Sequence, residues 1–503
     1  MSLQFIFGNS GSGKSHYLYQ QIVEESIRHP EKNYLVLVPE QFTMQTQKDL
    51  CMAHPRGGIM NIDVLSFGRL AHRVFEETGK ERQPILDDEG KNLVLRKIAG
   101  NYEDELTVLK GNLKKQGYIS EVKSVISEFT QYGIDFEQLD SFMEGLNPES
   151  YLYYKLKDIR KVYEGFEDYL RDKYITKEEL LDVLSQNVAE AKMLKDSVIA
   201  MDGFTGFTPV QNRLIGELLK VCDKIMLTVE IDRREDPFVY KHPYQLFALS
   251  KQMVTSLTEV AQEVKVEIDE PVWLCKNPPY RFKENPEMAF LEEELFRYSR
   301  RKYSGEKMRS ISLHEVHTPQ EEAQYVAEEI RRLVREEGYR YREIAVIASD
   351  LSTYADALEK ACDRYEIPVF MDHKKSILLN SFVEYLRSLL VMVEQNYTYE
   401  SVFRYLRTSL CGFTRDEVDR LENYCLALDL KGFKKWDQVW VRKTPMTTKE
   451  ELEELNHLRM RFVEKLTPLH TVLKKRKKTV KEITLAVYEY LVQEKIQEQL
   501  AEL

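Results

Sequence analysis

The chain lacks the arrangements of cysteine and histidine that are typical of metal sites. Its six cysteines are scattered, with no C-x-x-C pair, and its ten histidines form no H-E-x-x-H motif. This pattern excludes the common zinc and iron–sulfur motifs within these residues, and it is typical of reduced thiols in a cytosolic protein.

Long apolar runs and an excess of positive charge are also missing. No stretch approaches ~18 uninterrupted apolar residues, so no membrane-spanning helix is predicted. No basic segment precedes the first apolar stretch, so no targeting segment is predicted and we expect a cytoplasmic protein. The net charge is −11, so any contact with nucleic acid must come from local basic patches, because the overall field repels a polyanion.

A complete phosphate-binding loop stands near the start of the chain. It has the pattern G-x-x-x-x-G-K-[ST] and consists of Gly8, Asn9, Ser10, Gly11, Ser12, Gly13, Lys14 and Ser15. A strand is predicted before it and a helix after it, so that main-chain N–H groups and the helix N-terminus can face phosphates. We expect ATP here, with Lys14 at the β- and γ-phosphates and the Ser15 hydroxyl on Mg²⁺. A strand-to-helix turn without a ligand is the other interpretation.

Asp202 is the second candidate residue of this site. It ends an apolar strand predicted over residues 195–202, and P-loop proteins place such an aspartate at a neighbouring strand end to hold Mg²⁺. The glutamate that activates the attacking water in helicases normally follows it, but Gly203 stands there. We therefore expect Mg-nucleotide binding with little or no hydrolysis, unless another base reaches in from elsewhere. A simple turn at a strand end is the alternative for Asp202.

Apolar segments in the first part of the chain predict a parallel sheet. Continuous apolar strands are expected at residues 3–7, 33–39 and 62–67, with helices between them. In the next hundred or so residues the apolar residues have helical spacing and no convincing strand is predicted, which indicates a helical insertion into the first lobe. Strands at 195–202 and 224–230 then return to the same lobe.

A second lobe of the same architecture is predicted further along. Its strands are expected at residues 311–316, 343–348 and 367–370, and the chain then becomes helical. The predicted domains are 1–80 with 192–290 for the first lobe, 81–191 for its helical insertion, 291–385 for the start of the second lobe, and 386–503 for the helical insertion of the second lobe.

Two basic segments in the last helical region are candidates for DNA contact. Residues 431–436 combine lysines with Phe433 and Trp436, and residues 474–478 are all lysine or arginine. Such patches can follow a phosphate backbone, with aromatic rings as stacking platforms. A solvated helix face or loop is the other interpretation.

The order of several motifs resembles the AddB family over essentially the whole chain. The motifs lie at residues 8–15, 38–43, 65–70, 201–211 and 343–347. The resemblance implies the helicase-like half of a heterodimeric ATP-dependent helicase–nuclease that processes double-strand DNA ends with an AddA-like motor protein and responds to Chi sequences. It also implies an α/β fold of two RecA-like, superfamily 1 helicase-like lobes with parallel sheets, each with a helical insertion, the second lobe being incomplete here.

The resemblance also has departures. Gly203, Thr205 and Gly206 replace the Glu, Gln and Asp of the helicase-type acidic motif, which agrees with a loss of hydrolysis. The family's C-terminal exonuclease and its four-cysteine [4Fe-4S] cluster are expected only outside these 503 residues. These residues alone are therefore expected to cut no DNA.

Ligands of open α/β sheets bind at the carboxyl ends of the strands. The DNA-contact candidates at these ends are Gln41, Thr43, Ser66 and Arg69. Two other functions stay open: an independently active P-loop ATPase or kinase, which needs an acid near the γ-phosphate, and a structural DNA-binding scaffold in which the loop is a relic.

Overall fold

The structure, a computed structural model, describes residues 1–79, 84–112, 115–171, 173–305, 308–372, 375–444 and 447–502. The chain forms two compact units, Met1–Leu313 and His314–Leu503. This division falls later in the chain than the boundary predicted after residue 290, and the four-part domain division stays a prediction.

The first unit is built on a parallel sheet. The strands are β1 (Ser2–Gly8), β2 (Tyr34–Leu37), β3 (Ile62–Leu65), β4 (Ile85–Leu86), β5 (Ile175–Thr176), β6 (Val198–Met201), β7 (Lys224–Glu230), β8 (Glu267–Ile268) and β9 (Val272–Trp273). Seven of them form one sheet in the order β3-β2-β6-β7-β1-β8, with β9 also beside β1. The five strands predicted for the first lobe are confirmed, and they pair in parallel.

Both faces of this sheet are buried, which explains the continuous apolar strands. Phe5 and Phe7 enter the core on one face, whereas Ile6 and Val36 enter a second core on the other. The helices of this lobe are α1 (Lys14–Arg28), α2 (Thr43–Ala53), α3 (Phe67–Thr78), α9 (Pro209–Leu219), α10 (Ala248–Glu263) and α11 (Pro286–Glu294). Helices on both faces of a parallel sheet define the α/β class.

The segment between β3 and β6 is mainly helical, as predicted. It contains α4 (Asp88–Asn101), α5 (Gln116–Tyr132), α6 (Phe136–Glu144), α7 (Tyr151–Leu170) and α8 (Leu180–Asn187). Its own core includes the fully buried Leu95 and Val162. One expectation needs correction, because the short strands β4 and β5 pair with each other in this segment. Ile85 and Ile175 pack against the core of the first lobe, and two residues per strand are too few to leave a sequence pattern.

The second unit is helical in its described residues. Its helices are α12 (Pro319–Glu336), α13 (Leu351–Arg364), α14 (Ser381–Glu394), α15 (Tyr399–Leu406), α16 (Arg415–Leu428), α17 (Phe433–Asp437), α18 (Lys449–Leu473), α19 (Val480–Gln493) and α20 (Ile496–Glu502). It also contains the short 3₁₀ helix Tyr341–Glu343, and three more lie in the first unit, at Glu40–Phe42, Val188–Glu190 and Tyr280–Phe282. Helices α14 to α20 share one hydrophobic core, which contains Tyr405 and Trp436.

The three strands predicted for the second lobe are wrong for the described residues, because this part of the chain contains no β-strand. Ile344 and Ile367 pack against the core of α12 and α13. In contrast, Leu313, Ile347 and Phe370 are 98%, 94% and 89% exposed. A parallel strand exists only where a neighbouring strand takes up its backbone hydrogen bonds, and no such neighbour is present among these residues.

The aromatic residues of the basic segment at 431–436 are not stacking platforms, contrary to that prediction. Trp436 is 1% exposed and packs on Phe462, with ring centroids 4.5 Å apart. Phe433 stacks on His470 at 3.7 Å. The periodicity of α17 turns these rings to the core, so only lysines such as Lys434 and Lys435 face solvent.

Over the described residues, none of the helices combines the length and the apolarity required to cross a bilayer.

Candidate nucleotide-binding site

The loop 8–15 lies between β1 and α1, at the carboxyl edge of the sheet. Gly8 is in register with Glu230 of β7, and Ile231 N–H donates to the Gly8 carbonyl at 3.0 Å. Gly11 and Gly13 have φ of 72° and 93°, a left-handed conformation that favours glycine. Helix α1 starts at Lys14 without a side-chain cap. Its first N–H groups therefore remain available to an anion.

Two buried polar atoms of the loop have no hydrogen-bond partner. They are Oδ1 of Asn9 and Oγ of Ser12, in residues that are each 8% exposed. Buried polar atoms are almost always hydrogen-bonded in proteins. The Ser12 hydroxyl can donate to a phosphate oxygen, so the loop fits the phosphate group that its motif predicts.

Lys14 is held inside the loop. Its Nζ donates to the Asn9 carbonyl at 3.0 Å. Burial lowers its pKa, while the nearby carboxylates of Glu230, Asp202 and Glu292 act in the opposite direction. The lysine is thus folded back on the loop and surrounded by acidic side chains.

The structure brings Ser15 and Asp202 together. Ser15 Oγ donates to Oδ1 of Asp202 at 3.1 Å, although the two residues come from α1 and from the end of β6. Asp202 is only 7% exposed. Oxygen atoms of one or two carboxylates plus phosphates are the ligands that Mg²⁺ prefers. Their proximity fits the predicted Mg²⁺ site, and Mg²⁺ binding itself stays a prediction.

Two residues that the sequence reasoning missed complete the surroundings of Asp202. Thr228 Oγ1 donates to Oδ1 at 2.5 Å, and Tyr19 OH donates to Oδ2 at 2.8 Å. Burial first, and then the Asp202 charge, raises the pKa of Tyr19. Tyr19 lies one helical turn after Ser15, and Thr228 lies beside Asp202 on the neighbouring strand. Helical spacing and strand register could have indicated both residues.

The position after Asp202 is shaped for glycine. Gly203 has φ of 78°, and a Cβ there would lie 3.6 Å from Pro39 and 3.8 Å from Phe42. A side chain at this position is strained by the left-handed backbone. The backbone conformation at this position therefore agrees with the presence of glycine in place of the glutamate that helicases carry there.

A segment that the sequence analysis did not single out covers the loop. Arg281 N–H donates to the Gly11 carbonyl at 3.0 Å. A Cβ on Gly11 would lie only 2.9 Å from Cβ of Arg281, so this contact requires glycine. Further along, Asn9 Nδ2 donates to Oε2 of Glu292 at 3.1 Å. No sequence motif marks this contact, because it joins residues 283 positions apart.

The four DNA-contact candidates lie at the carboxyl edge, in different surroundings. Gln41 and Arg69 are exposed. Thr43 is buried and its hydroxyl donates to the Glu40 carbonyl at 3.0 Å, while the buried Ser66 caps α3 by accepting from Arg69 N–H at 3.4 Å. The two hydroxyls are thus occupied within the chain, and DNA contact by these residues stays a prediction.

The parallel sheet, with this loop at its carboxyl edge, defines an α/β protein. Two family models match the chain: "ADDB, N-terminal" over residues 5–292 and "UvrD-like helicase C-terminal domain" over residues 283–503. The chain belongs to the AddB family.

Similar proteins are named as the B subunit of an ATP-dependent helicase/deoxyribonuclease. The one from Lachnoclostridium phytofermentans is 40% identical over 99% of this chain and 44% of its own length. The one from Clostridium perfringens strain SM101 is 34% identical over 98% of this chain and 43% of its own length. The chain thus spans less than half the length of these relatives.

Proposed function

We propose that these residues form the helicase-like part of the AddB half of a heterodimeric ATP-dependent helicase/deoxyribonuclease, and that they bind Mg-ATP at residues 8–15. The hydrogen bond from Ser15 to Asp202 carries the nucleotide part of the proposal, because it joins the predicted Mg²⁺-binding residues beside a loop with an unpartnered Ser12 hydroxyl. Family membership and the names of the relatives support the helicase/deoxyribonuclease part.

Mg²⁺ would be held by the Ser15 hydroxyl, Asp202 and the phosphates of the nucleotide. The ion supplies positive charge that neutralises the phosphate oxygens. Asp202 is oriented for this role by Tyr19 and Thr228. Lys14 would leave the Asn9 carbonyl and turn to the phosphates.

We expect little hydrolysis at this site. The residue after Asp202 is a glycine whose backbone disfavours any side chain, so the carboxylate that activates water in helicases has no equivalent at that place. Nucleotide binding would then serve to stabilise the loop and the segment that covers it, and not to drive movement along DNA.

The activities of the whole protein are part of the same proposal. The partner would be an AddA-like motor protein, and the substrate would be double-strand DNA ends, with recognition of Chi sequences, in the cytoplasm. The exonuclease and the [4Fe-4S] cluster would belong to sequence outside these residues. Gln41 and Arg69 are the exposed candidates for DNA contact at the carboxyl edge.

An independently active ATPase is the second candidate function. The observation in its favour is that Glu230 and Glu292 lie close enough to Lys14 to affect its pKa. Either carboxylate would have to accept a proton from the attacking water. In the remaining alternative, a structural scaffold with a relic loop, Lys14 would have no role in nucleotide binding.

Calorimetric binding of Mg-ATP and turnover of ATP, measured on one purified sample with and without DNA, test the proposal. Lys14→Ala should abolish binding, and turnover should be negligible in both proteins. Lys220→Ala is the control, because Lys220 is an exposed residue that precedes β7, at the opposite edge of the sheet. Turnover that depends on Lys14 would establish the ATPase instead, and binding unaffected by Lys14→Ala would establish the relic loop.

A further inference from the structure

Glu292 is the only acidic residue of its helix turn that faces the phosphate-binding loop in the described structure. Its neighbours Glu293 and Glu294 both form ion pairs with Arg301. Glu292 instead accepts a hydrogen bond from Asn9 Nδ2 at 3.1 Å. A carboxylate therefore occupies a hydrogen-bond donor at the start of the loop.

This arrangement reverses the usual electrostatics of a P-loop. Main-chain N–H groups of such loops normally point at phosphate oxygens. Here the side-chain amide of Asn9 is bonded to an anion that belongs to the protein, and the charges of Glu230 and Asp202 also act on Lys14. Asp232 adds a further negative charge near Glu292. Arg234 adds a positive charge there, but its side chain forms an ion pair with Asp232.

The position of the terminal phosphate is affected most. Lys14 reaches the β- and γ-phosphates in loops of this pattern. The negative charges of Glu292 and Glu230, which act on Lys14, therefore also act on a γ-phosphate that Lys14 holds. A γ-phosphate adds negative charge that Glu292 repels, whereas a nucleotide that ends at the β-phosphate leaves this position empty.

We propose that Glu292 makes the loop discriminate against nucleoside triphosphates in favour of nucleoside diphosphates, because its carboxylate is held by Asn9 at the start of the loop and adds a negative charge near Lys14, which reaches the terminal phosphates. This inference rests on the proposed nucleotide binding at residues 8–15. A triphosphate binds only after the carboxylate has left Asn9, and α11 then loses a contact to the loop.

The test compares the affinities of Mg-ADP and Mg-ATP for the purified chain by calorimetry. Glu292→Gln keeps the size of the side chain and an oxygen that accepts from Asn9. Glu293→Gln is the matched control, since it removes the same charge from the same helix on the side of Arg301. Glu292→Ala, which removes both the charge and the contact, is the second variant.

We expect Glu292→Gln and Glu292→Ala to tighten Mg-ATP binding by roughly tenfold, the size of effect that removing one nearby like charge produces. Mg-ADP binding should change by less than about threefold. Glu293→Gln should keep the wild-type ratio of the two affinities.

The inference is overturned if both Glu292 variants keep the wild-type ratio of ATP to ADP affinity. It is also overturned if Glu292→Gln abolishes turnover without changing affinity, because the carboxylate then acts as a catalytic base. If neither the wild type nor any variant binds ADP or ATP, the proposed nucleotide binding fails, and that result differs from an unchanged ratio.

Discussion

Ser15 and Asp202 are 187 positions apart in the chain, and the Ser15 hydroxyl donates a 3.1 Å hydrogen bond to the Asp202 carboxylate. The parallel sheet makes this contact possible, because β1 and β6 both end at the edge where loop 8–15 begins. The helical insertion between them in sequence leaves the sheet register intact.

Asp202→Asn should remove the Mg²⁺ dependence of nucleotide binding. The amide keeps the shape of the side chain but loses the charge that attracts the cation. Nucleotide affinity measured with Mg²⁺ and with a chelator should be equal in the variant and different in the wild type. Asp63→Asn, at an exposed ion pair with Arg73, is the control and should behave as the wild type. A Mg²⁺ dependence that survives Asp202→Asn would contradict the assignment.

Tyr19→Phe should destabilise the first unit by about 1.5–3 kcal/mol, the range for a hydrogen bond to a charged group. The substitution leaves Oδ2 of the buried Asp202 without the donor that it has at 2.8 Å. Denaturant unfolding measures the difference. Tyr17→Phe, a half-buried tyrosine of the same helix, should change stability by less than about 0.5 kcal/mol. Equal effects of the two substitutions would show that the Asp202 contact contributes nothing.

Gly203→Glu should not create an ATPase. The left-handed backbone at φ of 78° should cost about 1–2 kcal/mol for any other residue, and the main chain would have to shift before a carboxylate could face the loop. Gly206→Glu is the control, because a Cβ there meets no atom within 4 Å. Thermal unfolding should show a loss of stability for Gly203→Glu only. A rise in the ATP turnover of Gly203→Glu would contradict the prediction.

Glu167 should make the stability of the helical insertion depend on pH. Burial, with Glu179 nearby, raises the pKa of Glu167 to about 7. The folded state therefore binds this proton more tightly than the unfolded chain. The contribution of Glu167 to the free energy of unfolding is fully present below the unfolded pKa of ~4.3. This contribution falls as the pH rises toward 7.

Glu167→Gln should accordingly stabilise the protein by about 2 kcal/mol at pH 8 and by little at pH 4, after an allowance for solvent screening. Urea unfolding at the two pH values measures this. Glu164→Gln on the same helix, which removes an exposed partner of Arg160, is the control and should show no such gain at pH 8. A gain that is equal at both pH values would argue against a titrating Glu167.

Ile347→Ser combined with Phe370→Ser should lower the binding of an apolar dye without loss of stability. These side chains are 94% and 89% exposed, and Phe370 lines an apolar cavity of about 560 Å³ in the second unit. Substitutions at exposed positions usually change stability by less than about 0.5 kcal/mol. Dye fluorescence and thermal unfolding are the measurements. Leu426→Ser, an exposed leucine of α16, should leave the fluorescence unchanged, and a large loss of stability in the double variant would show that the segments are packed.

Sequence patterns predicted the strands and helices of the first lobe because the features that specify them lie within a few neighbouring residues. The phosphate-binding loop needs glycines at particular backbone angles, and Gly11 and Gly13 have them. The tail of the motif at residues 201–211 also has a local reason, since Thr208 and Gln211 form the capping box of α9. Apolarity predicted the second-lobe strands wrongly, because pairing depends on neighbours that the pattern does not contain.

By itself, the sequence determined the loop 8–15, the strands on either side of it, the aspartate at residue 202 and the family to which the chain belongs. Only the tertiary structure decided that Tyr19 and Thr228 orient Asp202, that Glu292 occupies the start of the loop, and that Trp436 is a core residue. The reason is physical: backbone conformation and periodicity act over a few residues. Contacts between side chains that are far apart in the chain depend on how the completed sheet and helices pack.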